Sequence, residues 1–405
     1  MTDKDITYNN SNYGTSFPLI AMYALILCPH IIAFPTTDLS YMIIRLLQIF
    51  CIGVLLFLLI KKRSDISTAS KVFAGLINLW WITMIAISFA KVPTLKFTQV
   101  YYWITIWDII LIAETYWKKN LSHHLYNLAV LFSVLVYLNT FLYIIFPDGL
   151  WVDSSWIGTG SSTRYLFGNY NQTGLIALVA IMLNGIFLIN AQRGSINMFF
   201  LCCTAIGTVV DMGSMTSSVG LIILVLNFMF RNLIKHPYFL IAFFLFLYVA
   251  FFSIIVWQGQ DIQDWKIVND FIENVLGKNS TFTSRIYLWL NSISLIHENP
   301  IWGYGAQGIE WMVANIGGSG PHNLWLMILL EGGFVLCSLL VIIIIHTLLS
   351  MKIQNTREGA FSAVCLCCIL LMSLFETYNV VCVFFVLIVA YYTRLAKLNQ
   401  NTEES

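Results

Sequence analysis

The sequence predicts an all-α, polytopic integral membrane protein of about twelve transmembrane helices. Two observations support this class, and a third argues against nucleic-acid binding. The 405 residues are 59% hydrophobic and only 10% charged, whereas soluble domains carry about 25% charged residues. Apolar runs of about 20 residues, enough to cross a bilayer as a helix, recur from end to end. The net charge of +1 gives no basic surface of the kind that binds nucleic acid.

Hydropathy divides the chain, taken as one membrane domain over 1–405, into apolar segments at 17–34, 41–60, 72–90, 97–113, 125–146, 171–190, 196–212, 217–230, 238–257, 322–348, 359–375 and 377–395. The first segment has no basic stretch before it and no small-residue cleavage site after it, which favours a retained helix over a signal peptide. The nine cysteines lie in apolar segments, so we expect embedded apolar side chains rather than disulfides or metal ligands.

The basic residues predict the orientation of the chain. With the N-terminus in the cytoplasm, 14 of the 21 lysines and arginines fall in cytoplasmic segments, as the positive-inside rule requires. Both termini are then cytoplasmic. Two long loops, 147–170 and 258–321, lie on the outer face of the cytoplasmic membrane.

The loop 258–321 has the pattern of folded structure. Residues 262–276 place apolar side chains on one helical stripe and charged ones off it, which predicts an amphipathic helix on the membrane surface. A second helix is expected to begin near Thr283 or Ser284, both good N-caps, and to end before Pro300. Three of its residues share one face: Arg285, Trp289 and Ser292.

The segment 303–308 matches the dinucleotide-binding pattern G-x-G-x-x-G. That pattern requires a preceding strand in a βαβ unit, whereas an Asn-Pro break precedes it here. We therefore interpret its glycines as turn residues. Four acids lie in or beside apolar segments, where charge is costly, and each is either functional or a protonated or paired structural group: Asp108, Asp211, Glu331 and Glu376.

His322 gives the sharpest functional signal. It follows the Gly-rich segment 317–321 and is expected in the first turn of a helix whose N-terminus faces outward. Free backbone amides and the helix dipole attract anions such as pyrophosphate there, and a neutral imidazole accepts a proton. The alternative is an ordinary interfacial histidine. Glu331 lies about 180° around the same helix, so we do not expect it to pair with His322.

Two arginines complete the candidate site. Arg164 and Arg285 lie one in each long outer loop, and arginine binds pyrophosphate through two nitrogens without losing its charge. The alternative is an ordinary interfacial arginine in each case. Arg45, near the outer end of the second segment, either reaches the same pocket or extends its charged end to water.

Short motifs along the chain resemble those of the O-antigen polymerase and ligase superfamily of membrane glycosyltransferases. The segment 164–171, RYLFGNYN, is similar to the family's arginine followed by glycine, an aromatic residue and Asn-Pro-Asn, with Tyr170 in place of the proline and the first glycine missing. Ser284-Arg285 with Trp289 resembles its Ser-Gly-Arg motif without the glycine. The segment 300–305 resembles its Pro-x-x-Gly-x-Gly turn.

The resemblance continues at the following helix. His322-Asn323, followed by Glu331-Gly332-Gly333, resembles the family's His-Asn motif and its Glu-x-Gly pattern. Ser217-Ser218-Val219 stands where many members carry an arginine.

The resemblance implies a GT-C-like fold and metal-independent glycan transfer at the outer face, without a cofactor. It implies a polymerase that adds single lipid-linked repeat units to a polysaccharide on undecaprenyl pyrophosphate, making capsule, exopolysaccharide or O-antigen. Arg164 and Arg285 would neutralise the leaving group and His322 would activate the acceptor hydroxyl. Membrane lipid, a flippase and a chain-length regulator are the expected partners. Further substrate contacts are expected from Asn171, Asn323, Trp289, Ser284, Arg45 and Glu331.

Two other functions stay open. A ligase of the same superfamily would move finished glycan onto lipid A-core or a protein. A transporter or flippase would show interrupted helices and paired charges at mid-membrane, whereas the polar residues here gather at one interface. The aromatic residues Trp151, Trp156, Trp289 and Trp302 either stack on sugars or form an interfacial belt.

Overall fold

The computed structural model describes residues 14–33, 38–61, 68–92, 97–152, 163–229, 242, 245–246, 248–250, 253, 279–351 and 356–403. Within these ranges the longer helices are α1 (Phe17–Ile31), α2 (Asp38–Lys61), α3 (Thr68–Lys91), α4 (Thr98–Ile112), α5 (Lys118–Ile145), α6 (Tyr170–Ala191), α7 (Ser195–Asp211), α8 (Met215–Met229), α9 (Asn279–Glu298), α10 (Ile309–Ile316), α11 (Leu324–Ser350), α12 (Arg357–Met372) and α13 (Val380–Glu403). A π-helical turn, Ala113–Trp117, joins α4 to α5. Strand β1 (Trp151–Val152) pairs antiparallel with β2 (Thr163–Arg164).

The predicted all-α class is confirmed, and every predicted apolar segment except 238–257 coincides with a helix. Among the residues described, four helices are long and apolar enough to cross a membrane: Ala69–Lys91, Asn120–Ile145, Tyr170–Ala191 and Leu324–Ser350. Shorter apolar helices accompany them. The count of twelve spans stays a prediction. Most of 238–257, and all of the amphipathic helix predicted over 262–276, lie outside the described residues.

Helix α6 lies at the centre of the bundle, with 83% of its most apolar window buried. It packs against α5, α7, α8 and α12, and two glycines permit the close approach. A Cβ on Gly174 would lie 2.1 Å from the Ser217 side chain, and one on Gly185 would lie 2.3 Å from the Phe361 ring. Such small-residue contacts drive helix association in lipid, where the hydrophobic effect between helices is absent.

Several loops meet at the end of the bundle where His322 lies, here called the His322 end. Ala33 donates a backbone hydrogen bond to Leu166 O at 2.9 Å, which joins the end of α1 to the loop before α6. The Asn379 amide donates to His30 O at 2.9 Å. Ala306 N donates to Ser88 Oγ at 3.0 Å, which joins the turn after α9 to the end of α3.

Helix α11 is interrupted at Gly333, where φ is 61° and ψ is −161°. The turn 300–305 fills the break with backbone hydrogen bonds. The N–H groups of residues 304–305 donate to the carbonyls of 330–331, and those of 334–335 donate to the carbonyls of 300–301, at 2.7 to 3.3 Å. The break therefore leaves these backbone groups paired, which the bilayer interior requires.

The interpretation of the 303–308 glycines as turn residues is confirmed at Gly303 and Gly305, whose φ angles are 61° and 78°. A Cβ on Gly303 would lie 2.4 Å from the Leu330 carbonyl oxygen. Glycine is needed here both for the positive φ and for the close approach of two backbones.

Candidate functional site

Helix α9 carries the first candidate residue, Arg285. It begins at Asn279, so the prediction that Thr283 or Ser284 caps it is wrong, and both residues lie inside the helix. An N-cap contributes only about 1 kcal/mol, and the backbone bonds of an additional turn outweigh it. The helix ends at Glu298, before the proline, as predicted.

The predicted common face of α9 is confirmed as its inward face. Trp289 and Ser292 are fully buried, and the Arg285 side chain is 14% exposed. The Trp289 Nε1–H donates to Pro321 O at 2.8 Å, so this indole holds the residue that precedes His322. Trp289 is thus enclosed in protein, and its hydrogen bond fixes the backbone that leads into His322.

Helix α11 begins at Leu324, two residues after His322. Asn323 is its N-cap: the side-chain oxygen accepts hydrogen bonds from the N–H groups of residues 325–326 at 2.9 and 3.1 Å. The N–H of Leu324 donates to Ser373 O at 2.9 Å. The expectation that His322 lies in the first turn beside free amides is therefore wrong, because a capping side chain and a neighbouring loop take those amides.

The Asn323 amide is also engaged at its other end. Its Nδ2 donates to Leu374 O at 2.9 Å, and the residue is fully buried. These contacts join α11 to the loop 373–379. A substrate contact from Asn323 stays a prediction that this geometry does not favour.

His322 and Arg285 converge on one carboxylate, that of Glu376. The His322 Nδ1 lies 3.4 Å from Glu376 Oε2, and Arg285 Nη2 forms an ion pair with Glu376 Oε1. Arg285 Nη1 donates to Phe375 O at 2.9 Å. The Glu376 side chain is 4% exposed and that of His322 is 29% exposed. A buried ion pair thus supports a histidine that opens to the surface.

Sequence reasoning identified Glu376 as an acid beside an apolar segment but did not place it in the site. The available signal was its position between two closely spaced apolar segments, where an unpaired charge is costly. Glu331, another of the four acids, faces a cavity instead.

That cavity has a volume of about 560 Å³ and lies at the His322 end. Arg164, at the end of β2, and Glu331, on α11, both line it. The loop residues 377–380 line it as well, so one loop joins the cavity to Glu376. The remaining polar and aromatic lining includes His30, Gln99, Gln172, Asn379, Trp80 and Tyr102.

Asn171 is held inside the protein. It is 5% exposed, and its side-chain oxygen accepts a hydrogen bond from Ser214 Oγ at 2.6 Å. Asn169 caps α6 by accepting from the N–H groups of Asn171 and Gln172 at 3.1 and 2.9 Å. Both asparagines of the 164–171 motif thus shape the start of α6, and substrate contact by Asn171 stays a prediction.

Arg45 does not extend to water, since it is 2% exposed. Its Nη1 donates to Gln48 Oε1 at 2.6 Å and lies 3.1 Å from His30 Nε2. Its guanidinium carbon lies 4.9 Å from the centroid of the Tyr101 ring. Arg45 therefore does not line the cavity itself but contacts His30, which does, and its charge is solvated by protein groups.

The interfacial tryptophans differ in environment. Trp151 lies in β1, opposite Arg164, and is half-buried. Trp302 is 53% exposed on the turn after α9, as an interfacial belt predicts. Trp156 lies outside the described residues.

The arrangement brings three features to one end of an apolar bundle. Arg285 supplies a permanently charged guanidinium that is paired with Glu376, His322 supplies an imidazole that is 29% exposed, and the cavity of about 560 Å³ lies at the same end. These are the elements of a transfer reaction with an anionic leaving group.

Residues 196–341 match the family model described as O-antigen ligase. The match covers less than half of the chain, and includes Arg285, His322 and Glu331 but neither Arg164 nor Glu376. No curated protein matches the chain. The family match is consistent with the O-antigen polymerase and ligase superfamily, whose members are glycosyltransferase-like enzymes that act on lipid-linked glycans.

Proposed function

We propose, from the O-antigen ligase match and the convergence of Arg285 and His322 on Glu376, that this chain polymerises lipid-linked oligosaccharide repeat units. The donor is a growing polysaccharide on undecaprenyl pyrophosphate, and the acceptor is a single lipid-linked repeat unit. The product is a capsule, exopolysaccharide or O-antigen chain. The convergence carries the proposal, because it joins a pyrophosphate-binding group to a proton acceptor.

In the proposed reaction an acceptor sugar hydroxyl attacks the anomeric carbon of the donor. The bond from that carbon to the pyrophosphate oxygen breaks, and its electron pair leaves with the pyrophosphate. The hydroxyl proton passes to His322, and the anomeric configuration inverts. No oxidant, metal or cofactor is needed to balance this step.

Arg285 and Arg164 stabilise the leaving group in this proposal. Charge develops on the pyrophosphate oxygens as the bond breaks, and a guanidinium fixed beforehand stabilises it most where water is excluded. Arg285 meets this condition because it is largely buried and its Nη1 is held by the Phe375 carbonyl oxygen at 2.9 Å. Arg164 lines the cavity, and its contact with the pyrophosphate is part of the proposal.

The cavity suits a carbohydrate. Gln99 and Gln172 offer amide groups to sugar hydroxyls, and Tyr102 offers an aromatic face. Mixed polar and aromatic linings are typical of sites that orient a small polar ligand.

The proposed location is the outer face of the cytoplasmic membrane, with both termini in the cytoplasm. The positive-inside distribution supports it, and lipid-linked repeat units become available there after transfer across the bilayer. A flippase would then supply the substrate, and a chain-length regulator would act on the product.

The test uses purified protein, lipid-linked repeat units and EDTA, without added metal. Wild type is expected to give a ladder of polymers, and His322→Ala and His322→Asn are expected to give none. The asparagine variant matters because His322 has a φ of 47°, which asparagine tolerates better than alanine. A ladder from both variants would remove His322 from the mechanism.

A ligase is the second candidate, because the matching family model carries that description. It would transfer preformed glycan once onto a lipid A-core or protein acceptor and would leave repeat units unextended. A transporter would leave both substrates chemically unchanged. Running the same assay with each acceptor separates the three functions.

A further inference from the structure

We propose that Glu376 is a positioning residue with two roles: it orients His322 and it occupies Arg285 until pyrophosphate replaces it. This inference rests on the proposed glycan transfer. It predicts an unusual pair of effects when the Glu376 charge is removed, namely tighter pyrophosphate binding together with slower transfer.

Each oxygen of the Glu376 carboxylate serves a different partner. Oε1 pairs with the Arg285 guanidinium, and Oε2 faces His322 Nδ1 at 3.4 Å. The carboxylate is 4% exposed, against 14% for Arg285 and 29% for His322. Glu376 is thus the most buried of the three groups and His322 the most exposed.

The backbone around Glu376 is fixed on both sides. The loop before it accepts hydrogen bonds at Ser373 O from Leu324 N and at Leu374 O from Asn323 Nδ2, each at 2.9 Å. After it, Thr377 O accepts from Gln172 Nε2 at 3.2 Å. Contacts to residues at the starts of α11 and α6 therefore fix the backbone that carries the Glu376 carboxylate.

The contact with His322 sets the roles of the two ring nitrogens. A carboxylate only accepts hydrogen bonds, so Nδ1 carries the proton that faces Glu376. The lone pair of a neutral imidazole then lies on Nε2, which is the nitrogen able to take a proton from a hydroxyl. The His322 backbone is held at a φ of 47°, an uncommon conformation that clusters at functional sites.

The contact with Arg285 makes Glu376 an internal competitor of the substrate. A guanidinium has five N–H donors, and Arg285 directs its two terminal nitrogens to Phe375 O and to Glu376. An incoming pyrophosphate carries more negative charge than one carboxylate and competes for the same donors. Removal of the carboxylate charge therefore leaves Arg285 available to the anion.

The experiment compares Glu376→Gln, Glu376→Asp and a matched control, Glu114→Gln. Glu114 is 7% exposed and accepts a hydrogen bond from Tyr392 at 2.6 Å, away from the His322 end. Two quantities are measured: kcat and KM for extension of repeat units, and binding of inorganic pyrophosphate, followed without turnover as thermal stabilisation of the purified protein.

Glu376→Gln is expected to bind inorganic pyrophosphate about tenfold more tightly, the effect of about one charge-assisted hydrogen bond. Its KM for the lipid-linked donor should fall, while kcat should fall about 10²-fold because the general base is no longer oriented. Glu376→Asp keeps the charge but is one methylene shorter, so pyrophosphate binding should match wild type while kcat falls. Glu114→Gln should change neither quantity.

Weaker pyrophosphate binding by Glu376→Gln, or a kcat at the wild-type level in either variant, would overturn the proposal. A Glu376→Gln protein that fails to fold still leaves the aspartate variant, whose kcat must fall. Wild type that binds pyrophosphate but extends nothing would refute the polymerase function and leave the competition at Arg285 standing. Unchanged inorganic pyrophosphate binding by Glu376→Gln, with or without a change in donor KM, would also overturn the proposal, because Glu376 would then not compete for Arg285.

Discussion

Replacement of Gly333 by alanine is expected to break the junction between α11 and the turn 300–305. A Cβ at this position would lie 2.2 Å from Ile301 O and 2.6 Å from Trp302 N. Both are backbone atoms, so no side-chain rotation relieves the clash. The turn must move away from the helix.

The size of the destabilisation expected in Gly333→Ala follows from the geometry of the junction. A non-glycine residue at φ 61° and ψ −161° costs about 1 to 3 kcal/mol in backbone strain. Withdrawal of the turn breaks the backbone hydrogen bonds between 304–305 and 330–331 and between 334–335 and 300–301. With about 1 kcal/mol for each of the four hydrogen bonds added to the strain, the free energy of unfolding should fall by about 5 to 7 kcal/mol.

Thermal unfolding in detergent, followed by size-exclusion chromatography of the remaining monodisperse protein, measures this effect. The matched control is Gly207→Ala in α7, where an added Cβ meets nothing within 4 Å and alanine favours the helix by about 0.5 to 1 kcal/mol. Gly333→Ala should lose several degrees of Tm, and Gly207→Ala should lose none. Equal Tm values for the two variants would refute the role given to the break.

Three further substitutions test the supports of the site. Trp289→Phe keeps the apolar ring but removes the donor to the backbone before His322, so kcat should fall about tenfold with little change in KM. Asn323→Ala removes the cap of α11 and should lower the free energy of unfolding by about 1 to 2 kcal/mol. Arg45→Gln should lower it by about 1 to 3 kcal/mol and leave KM unchanged, because Arg45 does not line the cavity.

Turnover assays and thermal unfolding, run together on each variant, check these outcomes. Trp302→Phe is the control for the first substitution, because that ring is 53% exposed and should tolerate the change. Asn315→Ala, on the exposed side of α10, is the control for the second. An Arg45 variant with normal stability and a raised KM would instead place this arginine in contact with substrate.

Local periodicity predicted the parts of the site that depend on one helix. Arg285, Trp289 and Ser292 were placed on one face because residues three and four apart lie together on a helix, and that face is the buried one. The start of α9 was missed because Thr283 and Ser284 favour an N-cap by an amount that additional helical turns outweigh.

The sequence did not predict that α9, the start of α11 and the loop 373–379 meet. Glu376 meets Arg285 and His322 because the start of α11 hydrogen-bonds to the loop 373–379, a tertiary contact that leaves no periodic signal. The same loop takes the amide of Leu324, so the anion site expected at the helix N-terminus is occupied by protein. A glycine and a proline before a helix indicate where the helix begins. They do not indicate which groups accept hydrogen bonds from its first backbone N–H groups.

The junction between α11 and the turn 300–305 has a consequence for mutational tolerance. Its hydrogen bonds join main chain to main chain, so most side chains along it are free to vary without loss of the contact. Exceptions are Gly303, Gly305 and Gly333, since each has a positive φ and an added Cβ would lie within 3.0 Å of a backbone atom. A saturation scan should therefore show sharp intolerance at these glycines beside permissive neighbours such as Ile301 and Phe334, both more than half exposed.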